Sequence, residues 1–343
     1  MSMTIVDDLT QPALWKALAP DGVTPSTEMA IALDPSQQSP GGVTGTALVS
    51  ATTNALNVTL RRTLAAVDLS GFDELRLWIN STRVADGSST YPFFLELRLA
   101  SAAMGLADPG NTWQRYLPVA RSGTWEMVRL TLADLPPAIR SSVSTLQLRC
   151  ANAAVACALD IDRIAAVHAE MLRDVDAALQ SSLDGVLVIG GSPIPAVMRT
   201  PGIAQAQARP YIEILQFEAG YSRERSDTTP VRGDYTNLGY ALRPPSTAYE
   251  LLYQITASAN DRPTQAQMLE FVLQTVPARG QLLVNAVPLP MEAISVAPID
   301  QIGGFRTDLI PLFYRVSTRQ ETGASTLVQV PKNVRLVADL PSV

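Results

Sequence analysis

The sequence predicts an all-β sandwich followed by an α+β domain. Three observations carry this. Short strand-like runs with turn residues between them fill the chain up to about Val167. From there on, strand patterns alternate with helical ones. The length of 343 residues with 47% hydrophobic residues provides for two cores. The division is placed at residues 1–165 and 166–343.

In the first part, residues 45–62, 74–84, 92–101, 112–120, 125–135, 145–150 and 157–167 alternate or cluster apolar positions. Gly, Pro, Ser and Asp-Gly punctuate them. Leu75, Leu77 and Ile79 share one strand face, with Arg76, Trp78 and Asn80 on the other. Leu95, Leu97 and Leu99 repeat the pattern against Glu96 and Arg98. Many short strands with turn signals are the mark of a sandwich. A helix-like run follows, Ile164 to Leu183, in which Met171, Leu172, Val175, Ala178, Leu179 and Leu183 keep helical spacing. Asp184-Gly185 ends it.

The second part opens with GVLVIGG and PYIEILQFEA, both strand candidates. In TAYELLYQITASA, Tyr249, Leu251, Tyr253 and Ile255 lie on one face, after a Pro244-Pro245 entrance. Thr264 is read as the N-cap of a helix striped by Met268, Leu269, Val272, Leu273 and Val276. Residues 281–289, 309–318 and the tail 327–340 are further strands. The expected architecture is a helix packed on a mostly antiparallel sheet.

Composition excludes several function classes. The net charge of −6 comes with only two lysines, Lys16 and Lys332, and no basic stripe, so no nucleic-acid surface is expected. No run approaches the ~20 apolar residues of a membrane span. The acidic start MSMTIVDDLTQPALWK does not read as a secretory signal, and the chain is expected to be made in the cytoplasm.

No catalytic set is visible. His168 is the single histidine, and no GxSxG run accompanies it. One His and two Cys cannot build a zinc site. The doublets Gly190-Gly191 and Gly303-Gly304 lack a phosphate-cradling context and read as turns. The chain is therefore expected not to be an enzyme. Cys150 and Cys157 flank ANAAVA between two strands, compatible with a hairpin whose ends are bridged, or with a reduced pair. Arg223, Glu224, Arg225 and Asp227 make a charged loop, read either as solvated or as a subunit contact.

Two resemblances follow from these runs. VDLSGFDELRLWINS, FFLELRL, WQRYLPV, SGTWEMVRLTLADL and ALDIDRIAAV resemble galactose-binding-like jelly rolls, a fold that many carbohydrate-binding modules share; the likeness covers Thr44 to Val167. It implies a structural calcium site at Asp160 and Asp162, for which no DxDxDG loop speaks, against the plain reading of outward strand acids. No other cofactor is expected. Trp78, Trp113 and Tyr116 are the rings that a sugar-binding face would use; core or interface packing is the other reading.

The order helix MLRDVDAALQSSL, strand and charged loop RPYIEILQFEAGYSRERS, then RPPSTAYELLYQITASANDRPTQAQMLEFVLQTVP, then LIPLFYRVSTR is similar to the tail-terminator, or cap, proteins of contractile phage tails and phage-like injection particles. The likeness spans Glu170 to Thr318. It implies a particle component assembled in the host cytoplasm. Its copies would form a ring, sixfold in this family, that closes the tube or sheath at the neck and docks to the connector, with the jelly roll turned outward. Ring contacts are expected on the loop Arg223–Asp227 and on the C-terminal tail. The alternatives are a carbohydrate-binding accessory or adhesin that takes surface glycans, and a structural protein of the baseplate periphery.

Overall fold

The structure is a computed structural model that describes residues 2–42, 44–199, 207–276, 278–295, 310–320 and 326–329. Two antiparallel sheets face each other in the first unit. One has the order Trp15–Leu18, Thr59–Val67, Val143–Cys150, Leu95–Ser101, Gln114–Tyr116. The other runs Met3–Asp7, Ile164–Val167, Glu74–Ser81, Cys157–Ile161, Thr44–Ala51, Met29–Gln38, and Glu126–Thr131 takes the far edge of Glu74–Ser81. Cys157–Ile161 and Ile164–Val167 are two halves of one lane beside Glu74–Ser81: Leu159 to Ile161 pair with Ser81 to Ile79, and Ala165 to Val167 with Arg76 to Glu74. The apolar alternation sends Leu75, Leu77, Ile79, Leu95, Leu97 and Leu99 into the core between the sheets, all within 1% of complete burial. Each such side chain contributes about 1.5–3 kcal/mol.

Two local expectations are corrected. Ile164–Val167 is a strand, and the helix starts only at Met171. All four residues of IAAV are buried within the sheet, and a helix there would leave half of them in water. Met3–Asp7, Trp15–Leu18 and Met29–Gln38 are strands that the sequence pattern hid, since acids, prolines and exposed positions interrupt their alternation.

The second unit is built on a six-stranded sheet of order Ala196–Met198, Tyr211–Tyr221, Thr247–Ser258, Pro311–Gln320, Val287–Ala293, Arg279–Val284. Its first pair is parallel and the rest antiparallel. Val175, Leu179 and Leu183 from the helix Met171–Leu183 share one apolar cluster with Met268, Leu269 and Val272 from the helix Arg262–Thr275. The sheet supplies Ile212, Ile214, Leu251, Tyr253, Ile255, Tyr314 and Val316 to the same cluster. The Tyr253 hydroxyl donates to Asp176 Oδ1 at 2.7 Å, and the Tyr314 hydroxyl to the Val276 carbonyl at 2.9 Å, so both buried rings keep their polar tips satisfied. The N-cap of the second helix is Asp261, not Thr264: its carboxylate accepts the Thr264 N–H at 2.9 Å. Pro263 lies in the first turn, which moves the cap three residues upstream of Thr264. Val231–Gly233, Gly239–Arg243 and Thr326–Gln329 form a further, three-stranded sheet.

Candidate functional site: the charged sheet face and the seam

Leu251, Tyr253 and Ile255 point toward the helices, so Glu250 points to the opposite face; the same parity places Arg315 there, between Tyr314 and Val316. An ionic ladder crosses this face. Arg225 lies 3.6 Å from Glu250, Glu250 accepts from Arg315 at 3.1 Å, and Arg315 pairs with Glu292. Asp227 pairs with Arg319 and accepts from Ser246 Oγ at 2.9 Å. Ser226 Oγ accepts the Ala248 N–H at 3.0 Å. The loop read from sequence as either solvated or a subunit contact divides in its own-chain bonding. Arg225 and Asp227 are folded back onto their own sheet, while Arg223 and Glu224 are exposed and make no side-chain bond to the described residues. The C-terminal tail, the other expected contact, lies outside the described residues from 330 on, as does Gly303-Gly304.

The edge beside this loop carries no partner strand among the described residues. Ala196–Met198 pairs with Ile212 to Ile214 only, so the strand from Leu215 to Tyr221 has no neighbour on that side among the described residues. Glu218, Ala219 and Tyr221 are exposed there.

A seam joins the two units. The hairpin Arg279–Val284/Val287–Ala293 turns through Asn285 and Ala286, both at positive φ, 47° and 64°. Into this turn the Trp78 indole N–H donates, at 2.8 Å to the Ala286 carbonyl. Asn285 Nδ2 donates to Asp174 Oδ2 at 2.6 Å, and Ser2 Oγ donates to Asn285 Oδ1 at 3.2 Å. A second anchor is Asp234, whose side chain is 2% exposed. It accepts the Thr131 N–H at 2.6 Å and the Arg243 guanidinium at 2.8 and 3.1 Å. Arg243 reaches on to Glu74 at 3.3 Å. The Tyr116 N–H donates to the Tyr235 carbonyl at 2.9 Å, and Phe93 stacks on the Tyr116 ring and lies tilted against that of Tyr235. Burial would raise the Glu74 carboxyl, but Arg76, Arg129 and Arg243 around it hold it below its ordinary value. Burial, with Arg76 beside it, lowers Arg129 to about 10. An open cleft of about 900 Å³ lies along this seam, lined among others by Arg76, Arg129, Asp174, Asp227 and Arg319.

The remaining sequence-predicted residues are placed as follows. Trp113 is in the sandwich core, 3% exposed, with Arg115 over its ring, so it offers no face to a sugar. Trp78 is held in the seam. Tyr116 stands on the outer face of the five-stranded sheet, one side of its ring covered by Phe93 at 5.0 Å. The three rings thus do not form one platform. Asp162 is buried and accepts from Ser39 Oγ at 2.5 Å and from the Arg163 backbone N–H, also at 2.5 Å; Asp160 bonds Thr46 Oγ1 at 3.2 Å on the outer face. They do not converge, and no group of three metal-ligating side chains occurs among the described residues. Cys150 and Cys157 are both free and buried. They are not the ends of one hairpin: Cys150 closes a strand of the five-stranded sheet and Cys157 opens one of the other, so the intervening loop crosses the sandwich. His168 pairs with Asp73 on the surface, near the chain start.

Asp234, Arg243 and the Asn285-Ala286 turn were not picked out from sequence. Their partners across the seam are far away in the chain, 208 positions for Trp78 and Ala286 and 103 for Asp234 and Thr131, and residues 281–289, expected as one strand, are broken into a hairpin at Asn285-Ala286.

No family model and no curated protein matches the sequence. Among solved structures, a family 11 carbohydrate-binding module from Clostridium thermocellum in complex with a β-1,3-1,4-mixed-linked tetrasaccharide is 11% identical; the alignment covers 49% of this chain and 97% of the module at a TM-score of 0.36. The sheath/tube terminator of an extracellular contractile injection system, PVC, in its extended state is 18% identical over 51% of this chain and 66% of that one, at a TM-score of 0.38. A CBM27 module from Caldicellulosiruptor saccharolyticus in complex with mannohexaose is 10% identical over 48% of this chain and 96% of the module, at 0.32. At these scores the architecture stands on its own strand order and register.

Proposed function

We propose that the chain is a structural component of a phage-tail-like particle, of the tail-terminator kind, and not an enzyme. The observation that carries this reading is the edge Leu215–Tyr221, unpaired on its outer side among the described residues, which leads to the exposed pair Arg223 and Glu224. An unpaired edge of this length, with neither proline nor lysine in it, is a template for pairing with another chain. Repeated head to tail, such a heterologous contact closes into a ring when its rotation permits. The resemblance of Glu170–Thr318 to terminator proteins supports the same role. In this reading six copies ring the end of a tube or sheath and present a docking surface to a connector. The ladder Arg225–Glu250–Arg315–Glu292 stiffens the sheet behind the edge. The jelly roll faces outward, and through Trp78 and Asp234 it is mounted on the ring rather than tethered to it.

Sedimentation of the full chain over a range of concentrations tests this. The expected result is a single closed oligomer, reduced to monomer by Tyr221→Asp and weakened by Glu224→Arg. A wild-type monomer at every concentration would reject it, as would an oligomer indifferent to both changes.

A further inference from the structure

The six-stranded sheet has a second edge, on the side away from Ala196–Met198. Arg279–Val284 pairs with Val287–Ala293 and carries no other partner strand among the described residues. It contains neither proline nor lysine, the residues that blunt an edge. Arg279 and Gln281 are exposed, while Leu283 lies against Gly42 of the sandwich, so the accessible part is Arg279–Leu282. On the first edge a bulge between Gln216 and Glu218 interrupts the register. Its regular part is therefore Glu218–Tyr221.

One row of side chains runs from the first edge to the second. Glu218 is the cross-strand neighbour of Leu252, Leu252 of Arg315, Arg315 of Glu292 and Glu292 of Arg279. The charged members alternate in sign, with an acid at one end of the row and an arginine at the other. Arg315 and Glu292 are paired with each other. Glu218 and Arg279 are exposed, and neither makes a side-chain hydrogen bond or ion pair to the described residues. Strand direction matches as well. Four antiparallel steps separate the two edge strands, so Tyr211–Tyr221 and Arg279–Val284 run the same way. A copy related by rotation about an axis along the strands offers its second edge parallel to the first edge of its neighbour.

We infer that the strand docking on Glu218–Tyr221 is Arg279–Leu282 of a second copy of this chain, joined in parallel with Glu218 beside Arg279 of the partner subunit. This rests on the assembly reading and names the other half of its contact. The joint connects the two ends of one row, so a copy is added without a shift along the strands, and the alternation of sign continues across it. On the helix side of the sheet the same register sets the exposed Tyr221 beside Leu282, and Ala219 beside Gly280, which has no side chain to obstruct the approach. An edge paired with its own kind would gather acids at one joint and arginines at the other, and like charges facing each other across strands are destabilising. The charges therefore favour a head-to-tail contact over a two-fold one.

A charge swap and a cysteine pair in the full chain test it. In sedimentation, Glu218→Arg and Arg279→Glu are each expected to weaken association about tenfold or more. Combined in one chain, they should restore it to within about threefold of wild type, since the pair is remade with its signs exchanged. Neighbouring strands lie about 4.8 Å apart, within the span of a disulfide, so Glu218→Cys with Arg279→Cys should cross-link between copies. Oxidised with glutathione disulfide, which is itself reduced to two glutathione thiols, this double variant is expected to run as a ladder of covalent multimers on non-reducing gels. Either cysteine alone should give none. If wild type associates and Tyr221→Asp disperses it, but the swap does not restore association and no ladder forms, this inference falls and the assembly reading stands. Covalent dimers from Glu218→Cys alone would show the edge meeting its own kind and overturn the head-to-tail contact. Wild type that stays monomeric at every concentration would overturn both.

Discussion

Replacing Asp234 by alanine should uncouple the two units. The carboxylate is 2% exposed and accepts three hydrogen bonds, one from the Thr131 N–H and two from Arg243. Arg115 Nε, a buried atom without a hydrogen bond, lies 3.9 Å away. Breaking a buried ion pair from one side costs about 3–5 kcal/mol, because the other charge stays behind. Arg243 is 20% exposed and keeps Glu74 at 3.3 Å, which argues for the lower end, about 3 kcal/mol. Position 234 also has φ of 50°, where alanine fits worse than Asp or Asn and adds about 1 kcal/mol. The total is about 4 kcal/mol for Asp234→Ala. Asp234→Asn keeps an acceptor for Thr131 and tolerates the backbone, so about half that loss is expected. Urea unfolding followed by far- and near-ultraviolet circular dichroism measures both. Wild type should unfold in one transition and Asp234→Ala in two, since the seam would no longer tie the cores together. A change below about 1 kcal/mol with a single transition would refute the seam as a rigid joint.

Two further outcomes are expected. Burial raises the Asp176 carboxyl above its ordinary value even though the Tyr253 hydroxyl donates to it, so the folded state holds that proton more tightly than the unfolded chain does. The associated stability is present in acid and is lost as pH rises from the ordinary carboxylate value through the raised one. Asp176→Asn, which cannot titrate, should therefore gain on wild type between pH 4 and pH 7; a pH-independent difference in urea midpoints would contradict this. Burial, then the neighbouring Cys150, pushes the Cys157 thiol up to about 11, and burial raises Cys150 as well. Iodoacetamide at pH 8 should leave both untouched in the native protein and modify both on unfolding, as mass spectrometry will show; rapid native labelling would contradict their burial.

The sandwich core was legible because strand periodicity is local: Leu75, Leu77 and Ile79 alternate with polar residues and are all buried. The early strands were not, because Met29–Gln38 is mostly exposed and owes its place to pairing with Thr44–Ala51 rather than to its own pattern. Trp78 shows where side-chain chemistry alone runs out. A ring on the outer face of a strand suits a sugar or a partner equally well, and the partner is a turn 208 residues away. The cysteines show the same limit in reverse. Six intervening residues suggested a hairpin, but the strands on either side belong to different sheets. Of the charged loop, Arg225 and Asp227 also bond their own sheet, a pairing that depends on strands distant in the sequence, while Arg223 and Glu224 carry no side-chain bond to the described residues.

The central claim is that copies of this chain associate through the edge Leu215–Tyr221. Electron microscopy of the purified full chain, with class averages resolving the symmetry, tests it most directly. The account predicts closed sixfold rings in which a neighbour lies against Leu215–Tyr221 of each copy. Dispersed single copies, or an assembly that leaves this edge facing solvent, would contradict it.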